Sequence, residues 1–128
     1  MSTQHSRKEA HERLHARSYR NLEKARENAS WKSGYDSSKT RQDITLLFRE
    51  RFGTDPYEWQ LDVTEAILLG LDSVVIAGTG AGKTMPFMMP LLLDRKKKVL
   101  IISPLKILQA DQVRSHRFSL TACTDVVM

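Results

Sequence analysis

SVVIAGTGAGKT, residues 73–84, is the stretch on which the reading of this chain turns. Its first five residues are small or apolar and rich in β-branched side chains, the composition of a short buried strand. The next seven carry glycine at 78, 80 and 82 and close on Lys83 and Thr84. Glycine reaches positive φ and lets the backbone approach an anion with no Cβ in the way. Successive N–H groups of such a loop form a concave nest, to which the N-terminus of a following helix adds positive potential. Ala77 in the place of the usual first glycine, four residues, then Gly82-Lys83-Thr84 is phosphate-loop spacing. Lys83 is expected to reach the β- and γ-phosphates of a nucleoside triphosphate, and the Thr84 hydroxyl to hold Mg²⁺. The plainer alternative is an ordinary glycine-rich turn. It is disfavoured because strand, loop and helix start coincide here, as the motif requires.

The flanks read as alternating elements. Residues 40–52 put Ile44, Leu47, Phe48 and Phe52 on one helical face, and Gly53 stops the helix. Asp55 is expected to cap the next helix, with Pro56 at its first position and Glu58 completing a capping-box-like pattern. Trp59, Val63, Ala66 and Ile67 share a face of it, and Gly70 ends it. After the loop, residues 83–93 start a helix that tolerates Pro86 in its first turn and is kinked or ended by Pro90. Residues 99–102 read as a second buried strand. Ser103 then caps a helix opened by Pro104 and running through residues 105–114. A third strand begins near Leu120. This order implies an α/β fold with a parallel sheet and right-handed crossovers. The basic run 95–98 falls at the strands' N-terminal edge, opposite the edge where open α/β sheets bind ligands, and is read as a solvated turn.

A length of 128 residues bounds the chain to one domain, and 41% hydrophobic with 27% charged residues is ordinary for a soluble protein. The greasiest run, residues 85–93, is short and holds two prolines, so no membrane partner is expected. The charged start carries no secretory signal, and the lone Cys123 fits a reducing, intracellular compartment. The net charge of +5 is unevenly placed. Residues 1–41 hold ten basic and five acidic side chains, whereas residues 42–128 hold ten of each. A basic arm on a neutral body suits a phosphate-backbone partner. Within the arm, Leu14, Leu22, Ala25 and Ala29 form a thin apolar stripe, too weak to dock firmly, so a frayed helix or disorder is expected. His11-Glu12-Arg13-Leu14-His15 matches the H-E-x-x-H zinc pattern. Its charged flanks, and a sole distant histidine at His116, favour a solvated helix over a metal site. Residues 29–39 read as a serine- and glycine-bearing linker. Trp31 and Tyr35 are expected to anchor it on the body, the alternative being stacking on a base. The division expected is an arm and linker over residues 1–40 and an ATP-binding domain over 41–128.

A phosphate loop alone does not assign a function. The segment Ala77-Gly78-Thr79-Gly80-Ala81-Gly82-Lys83-Thr84 resembles the first ATP-binding motif of superfamily 2 helicases, A/P-x-T-G-x-G-K-T/S. Phe87 and Pro90 fall where those proteins commonly carry an aromatic residue and a proline. Gln60, preceded by Pro56-Tyr57-Glu58-Trp59, looks like their upstream adenine-reading glutamine. An amide can pair with the adenine N6/N7 edge, and Tyr57 or Trp59 can stack on the ring. Ser103-Pro104-Leu105, Leu108 and Asp111-Gln112-Val113 resemble the second motif of RecQ-like DNA helicases, where DEAD-box RNA helicases carry a P-T-R-E-L-type segment. The resemblance spans residues 52–113. It implies a RecA-like P-loop sheet, ATP and Mg²⁺ as cofactors, DNA rather than RNA as partner, and nucleic-acid contacts at Ser103, Pro104 and Leu105. A nuclear location in a eukaryote is implied by the same resemblance.

The pattern is departed from in several places. Tyr57 stands where arginine is frequent, Gly78 where proline is common, and Met88 where RecQ proteins often have glutamine. Hydrolysis also calls for an acidic residue on Mg²⁺ and a group to orient water. The family draws these from a D-E-x-H or D-E-A-D box and an arginine of a second domain, and the residues after Val113 hold neither box. The expectation is therefore the opening, ATP- and DNA-binding part of a RecQ-like motor, belonging with the remainder of a longer helicase and not hydrolytically competent alone. The competing class is a non-catalytic nucleotide- or nucleic-acid-binding module acting through its basic arm.

Overall fold

The computed structural model of the chain describes residues 2–78, 80–94 and 96–99. Among them lie the helices α1 (Ser2–Ser33), α2 (Ser37–Phe52), α3 (Glu58–Leu68), α4 (Met85–Met88) and α5 (Pro90–Leu93). The apolar face expected in residues 40–52 is the one α2 uses: Ile44 and Phe48 are buried, and Gly53 ends the helix at φ 72°. The helix begins earlier than its apolar pattern, because the Asp36 carboxylate accepts the Lys39 N–H at 3.0 Å and caps it. Ile44, Phe48, Leu61 and Met89 form the core, with Leu68, Met85, Leu92 and Leu93 packed against it. Ile44→Val removes one methylene from a fully buried site. A loss of about 1 kcal/mol is expected, read as a lowered midpoint in urea with an unchanged m-value.

One expectation for α3 is corrected. Its N-cap is Tyr57 and not Asp55, for the Asp55 carboxylate is held bidentate by Arg49 of α2 at 2.6 and 3.1 Å. An arginine fork engages both oxygens at once and outcompetes a single backbone N–H. The buried residues of α3 are Gln60, Leu61, Thr64 and Glu65. Trp59, Val63 and Ala66, three of the four residues expected to share a face with Ile67, line a groove together with Leu22 of α1 and Val75. The helix is thus covered on two sides. Three of its four buried residues are polar, which is why an apolar count passed them over.

Pro90 acts as expected, splitting residues 85–93 into two single turns because it has no N–H to donate. Met89 stays in the right-handed region and donates to Met85 O at 2.9 Å, so the chain continues in the same sense.

Residues 73–77 run with alternating exposure, Val74 at 91% and Ile76 at 96% exposed while Ser73, Val75 and Ala77 are half-buried. That is the period of a strand, but no strand is assigned among the described residues. The described architecture is accordingly helical. Apart from Val99, the expected second strand at 99–102 lies outside the described residues, as do the helix at 105–114 and the strand near Leu120.

The N-terminal arm is more ordered than its composition indicates. α1 continues through Ser33, and of the expected linker only residues 34–36 separate it from α2. It docks mainly through polar groups. Leu22 is buried, Tyr19 Oη donates to Asp62 at 2.7 Å, and Arg26 donates to both oxygens of Glu65 at 3.1 and 2.6 Å. Glu65 is fully buried and also accepts from Tyr35 Oη at 2.9 Å and from Arg41 at 3.2 Å. Arg41 bridges onward to Asp62 and Glu58, both at 2.7 Å. Burial alone would push the Glu65 carboxyl up, but hydrogen bonds led by that of Arg26 hold it below its ordinary value. Burial and the contact with Glu65 raise the Tyr35 phenol to about 12, so it remains a donor. Tyr35 is the anchor the sequence predicts; Trp31 is not, being 94% exposed.

Candidate functional site

The glycine-rich loop leaves the extended residues 73–77 and turns immediately. Ala81 donates its N–H to Gly78 O at 3.2 Å, and Met85 its N–H to Gly82 O at 3.2 Å. Gly80 and Gly82 take positive φ, 79° and 73°, whereas Gly78 does not. At Gly82 two demands meet, since a Cβ there would also stand 2.6 Å from Gln60 Nε2. Thr79 lies outside the described residues.

Among the described residues, the N–H groups of Gly80, Gly82, Lys83 and Thr84 donate to no acceptor. The Thr84 hydroxyl likewise has no described partner. Lys83 is exposed, and its ammonium donates to Ala77 O at 3.0 Å with no carboxylate beside it among the described residues. Unspent donors, a cation held by one neutral carbonyl and a spare hydroxyl suit a triphosphate with Mg²⁺. The helix contribution is smaller than expected: α4 has four residues and Pro86 in its first turn, so few aligned dipoles stand behind the loop.

Gln60 is brought to the loop from the first turn of α3. Its Oε1 accepts the Tyr57 N–H at 2.8 Å, and its Nε2 donates to Gly82 O at 3.1 Å. Only 3% of it is exposed, while the neighbouring Tyr57 is 63% exposed. The sequence places Gln60 and the loop in separate elements, and the fold joins them. Thr64, which the motifs do not mark, extends this link one turn along α3: fully buried, it donates to Gln60 O at 2.7 Å and lies 3.3 Å from Pro86 O. No motif names it; its spacing four residues after Gln60 was the available signal.

Gly82→Ala is expected to destabilise by about 2 kcal/mol, from a Cβ forced into the left-handed region and against the Gln60 amide. Thermal unfolding of the variant beside wild type reads this directly. A melting temperature unchanged within error would mean that Gln60 does not sit on the loop.

Ser103, Pro104 and Leu105 lie outside the described residues. The His11 and His15 rings are stacked at 6.3 Å, and His15 lies against Tyr19 at 4.9 Å. Among the described residues no three potential ligands gather around a metal position, and no helix is long and apolar enough to cross a membrane.

Comparison with known proteins adds to this geometry. The DEAD/DEAH box helicase family model matches residues 57–126, from the cap of α3 past the phosphate loop. The chain is 36% identical over 78 residues to the ATP-dependent DNA helicase RecQ of Synechocystis sp., covering 60% of this chain and 16% of that protein. It is 34% identical over 89 residues to the ATP-dependent DNA helicase Q-like SIM of Arabidopsis thaliana, covering 68% of this chain and 10% of that protein. No solved structure matches the chain significantly.

Proposed function

This chain belongs to the DEAD/DEAH box helicase family, in its RecQ-like part, and on that premise we propose that it is an ATP- and DNA-binding portion of a RecQ-like helicase motor. The family implies a P-loop nucleoside-triphosphatase fold. The finer reading is a parallel sheet begun by residues 73–77 and 99–102, carried by a body over residues 41–128 and preceded by an arm over 1–40.

The observation that carries the reading is the set of unspent donors at Gly80, Gly82, Lys83 and Thr84, gathered beside a glutamine that reaches the loop from another element. ATP is held by residues 77–84, with Lys83 on its outer phosphates and Thr84 on Mg²⁺. Gln60 reads the adenine edge by exchanging its bond to Gly82 O for the base, and the exposed Tyr57 ring stacks on it. Ser103, Pro104 and Leu105 contact the DNA backbone. Mg²⁺ held by the Thr84 hydroxyl would neutralise phosphate charge; this chain's own residues orient the nucleotide. The residues after Val113 offer no acidic box, so turnover needs groups beyond these. The proposed setting is intracellular, and nuclear in a eukaryote.

Titration calorimetry of the full chain with ATP·Mg²⁺ tests the proposal, with GTP·Mg²⁺ for comparison. Saturable binding that prefers ATP is expected. A folded chain that binds neither nucleotide would refute the site. DNA-stimulated ATP turnover by this chain would refute the reading that its own residues do not suffice for hydrolysis.

A further inference from the structure

We infer that the outward face of α1 is a second, separate binding surface for single-stranded nucleic acid, built from Arg13, Arg17, Arg20, Lys24 and Trp31. The inference rests on the nucleic-acid half of the reading above and not on its nucleotide half. α1 turns Tyr19, Leu22 and Arg26 toward the body. At about 100° per residue, the four basic residues fall within about 40° of the direction opposite Leu22. They recur at intervals of four, three and four residues, about 6, 4.5 and 6 Å along the axis. A ladder of cations at such intervals suits successive phosphates of an extended strand.

What separates these residues from an ordinary solvated face is how the arm's charges are divided. Arg26 and Arg41 are committed to Glu65, Asp62 and the carboxylates beside them. Arg13, Arg17, Arg20 and Lys24 are exposed, and among the described residues none of the four has an ionic partner. Glu9 and Glu27 flank the ladder, and Glu9 pairs with His5. On this face the four unpaired cations outnumber Glu9 and Glu27 and leave it net positive.

Trp31 lies on this same face, about 10 Å beyond Lys24, with 94% of its surface in water. An indole left exposed beside cations is a stacking platform for a base. A duplex offers no open base face, so the surface fits a single strand. A membrane is the weaker match: the outward face has no large apolar side chain besides Trp31, and Leu22 points inward.

The test is fluorescence anisotropy of a labelled twenty-residue oligothymidylate with the full chain, from low to moderate salt. The variant Arg13→Gln, Arg17→Gln, Arg20→Gln, Lys24→Gln keeps strong helix formers at every position. Wild type is expected to bind, with about 0.7 of the salt slope carried by each of the four cations. Between 50 and 200 mM salt the four together would account for an affinity loss of about fiftyfold, absent from the variant. Trp31→Ala should weaken binding by about tenfold. In a Trp59→Phe background, the oligonucleotide should quench the fluorescence of Trp31. Equal affinity and slope in wild type and the fourfold variant would overturn the inference, whatever ATP does. So would tighter binding to anionic vesicles or to polyglutamate. Oligonucleotide binding through the ladder by a chain that binds no ATP·Mg²⁺ would uphold this surface while removing the nucleotide site.

Discussion

Lys83→Ala weakens ATP·Mg²⁺ binding by about a hundredfold and leaves the fold intact. Both halves of this expectation come from the surroundings of the ammonium. Lys83 is exposed, donates to one neutral carbonyl, Ala77 O at 3.0 Å, and among the described residues has no carboxylate to leave behind. Truncating such a surface side chain changes stability by no more than about 0.5 kcal/mol. The lost interaction with a polyphosphate is a charge-assisted contact of about 3 kcal/mol, equivalent to the hundredfold. Calorimetry and thermal unfolding of the same two proteins read the two quantities side by side. Retained affinity would show that the ammonium stays on Ala77 O when nucleotide binds, and that the loop's N–H groups alone hold the phosphates. Lys83→Arg keeps the charge as a planar fork in place of a compact ammonium, and should recover only part of the affinity.

Glu65→Ala destabilises the chain by about 3 kcal/mol or more, the largest effect expected of any single change outside the loop. The carboxylate is fully buried and accepts from Arg26, Tyr35 and Arg41, which come from α1, the connecting turn and α2. Its removal strands two guanidinium groups in a half-buried site and leaves the Tyr35 hydroxyl without its acceptor. In a chain of this size the loss corresponds to a fall in melting temperature of roughly 10 °C or more. The effect also has a pH signature. The folded carboxyl lies below its ordinary value of 4.5, so its contribution is fully present above that value and disappears as pH falls through the lowered one. Wild type should therefore lose stability on acidification below about pH 4.5, and the gap between wild type and Glu65→Ala should narrow over the same interval. A gap that persists unchanged into acid would show that packing around Glu65, and not its charge, holds α1 in place.

These two residues differ in how visible they are in the sequence. Lys83 stands in a spacing that only a few chemistries require, and its neighbours 80 and 82 are glycines whose positive φ follows from the loop they form. Glu65 sits in an ordinary helix with no motif around it. Nothing in its local sequence tells that it will be buried, because the groups that compensate its charge lie 24 and 39 positions away. The same distance in sequence explains the arm. Counting apolar residues marks α1 as too weak to dock, yet it docks through Arg26 and Tyr19, whose partners are on α3. Asp55 is the opposite case: a capping pattern legible in the sequence was displaced by Arg49, a partner six residues earlier.

What the sequence determined by itself are the features set by a residue's own conformational freedom or its near neighbours. These are the positive φ of Gly80 and Gly82 in the glycine-rich loop, the break at Pro90, the stop at Gly53 and the apolar face of α2. Glycine, proline and helical periodicity act over a few residues, so a linear reading reaches them. Tertiary structure decided which face of α3 is buried, that Gln60 bonds to Gly82, and that the arm is fastened through Glu65. It also decided which of the arm's cations are committed to carboxylates among the described residues. Those outcomes depend on desolvation and on partners brought together only by folding.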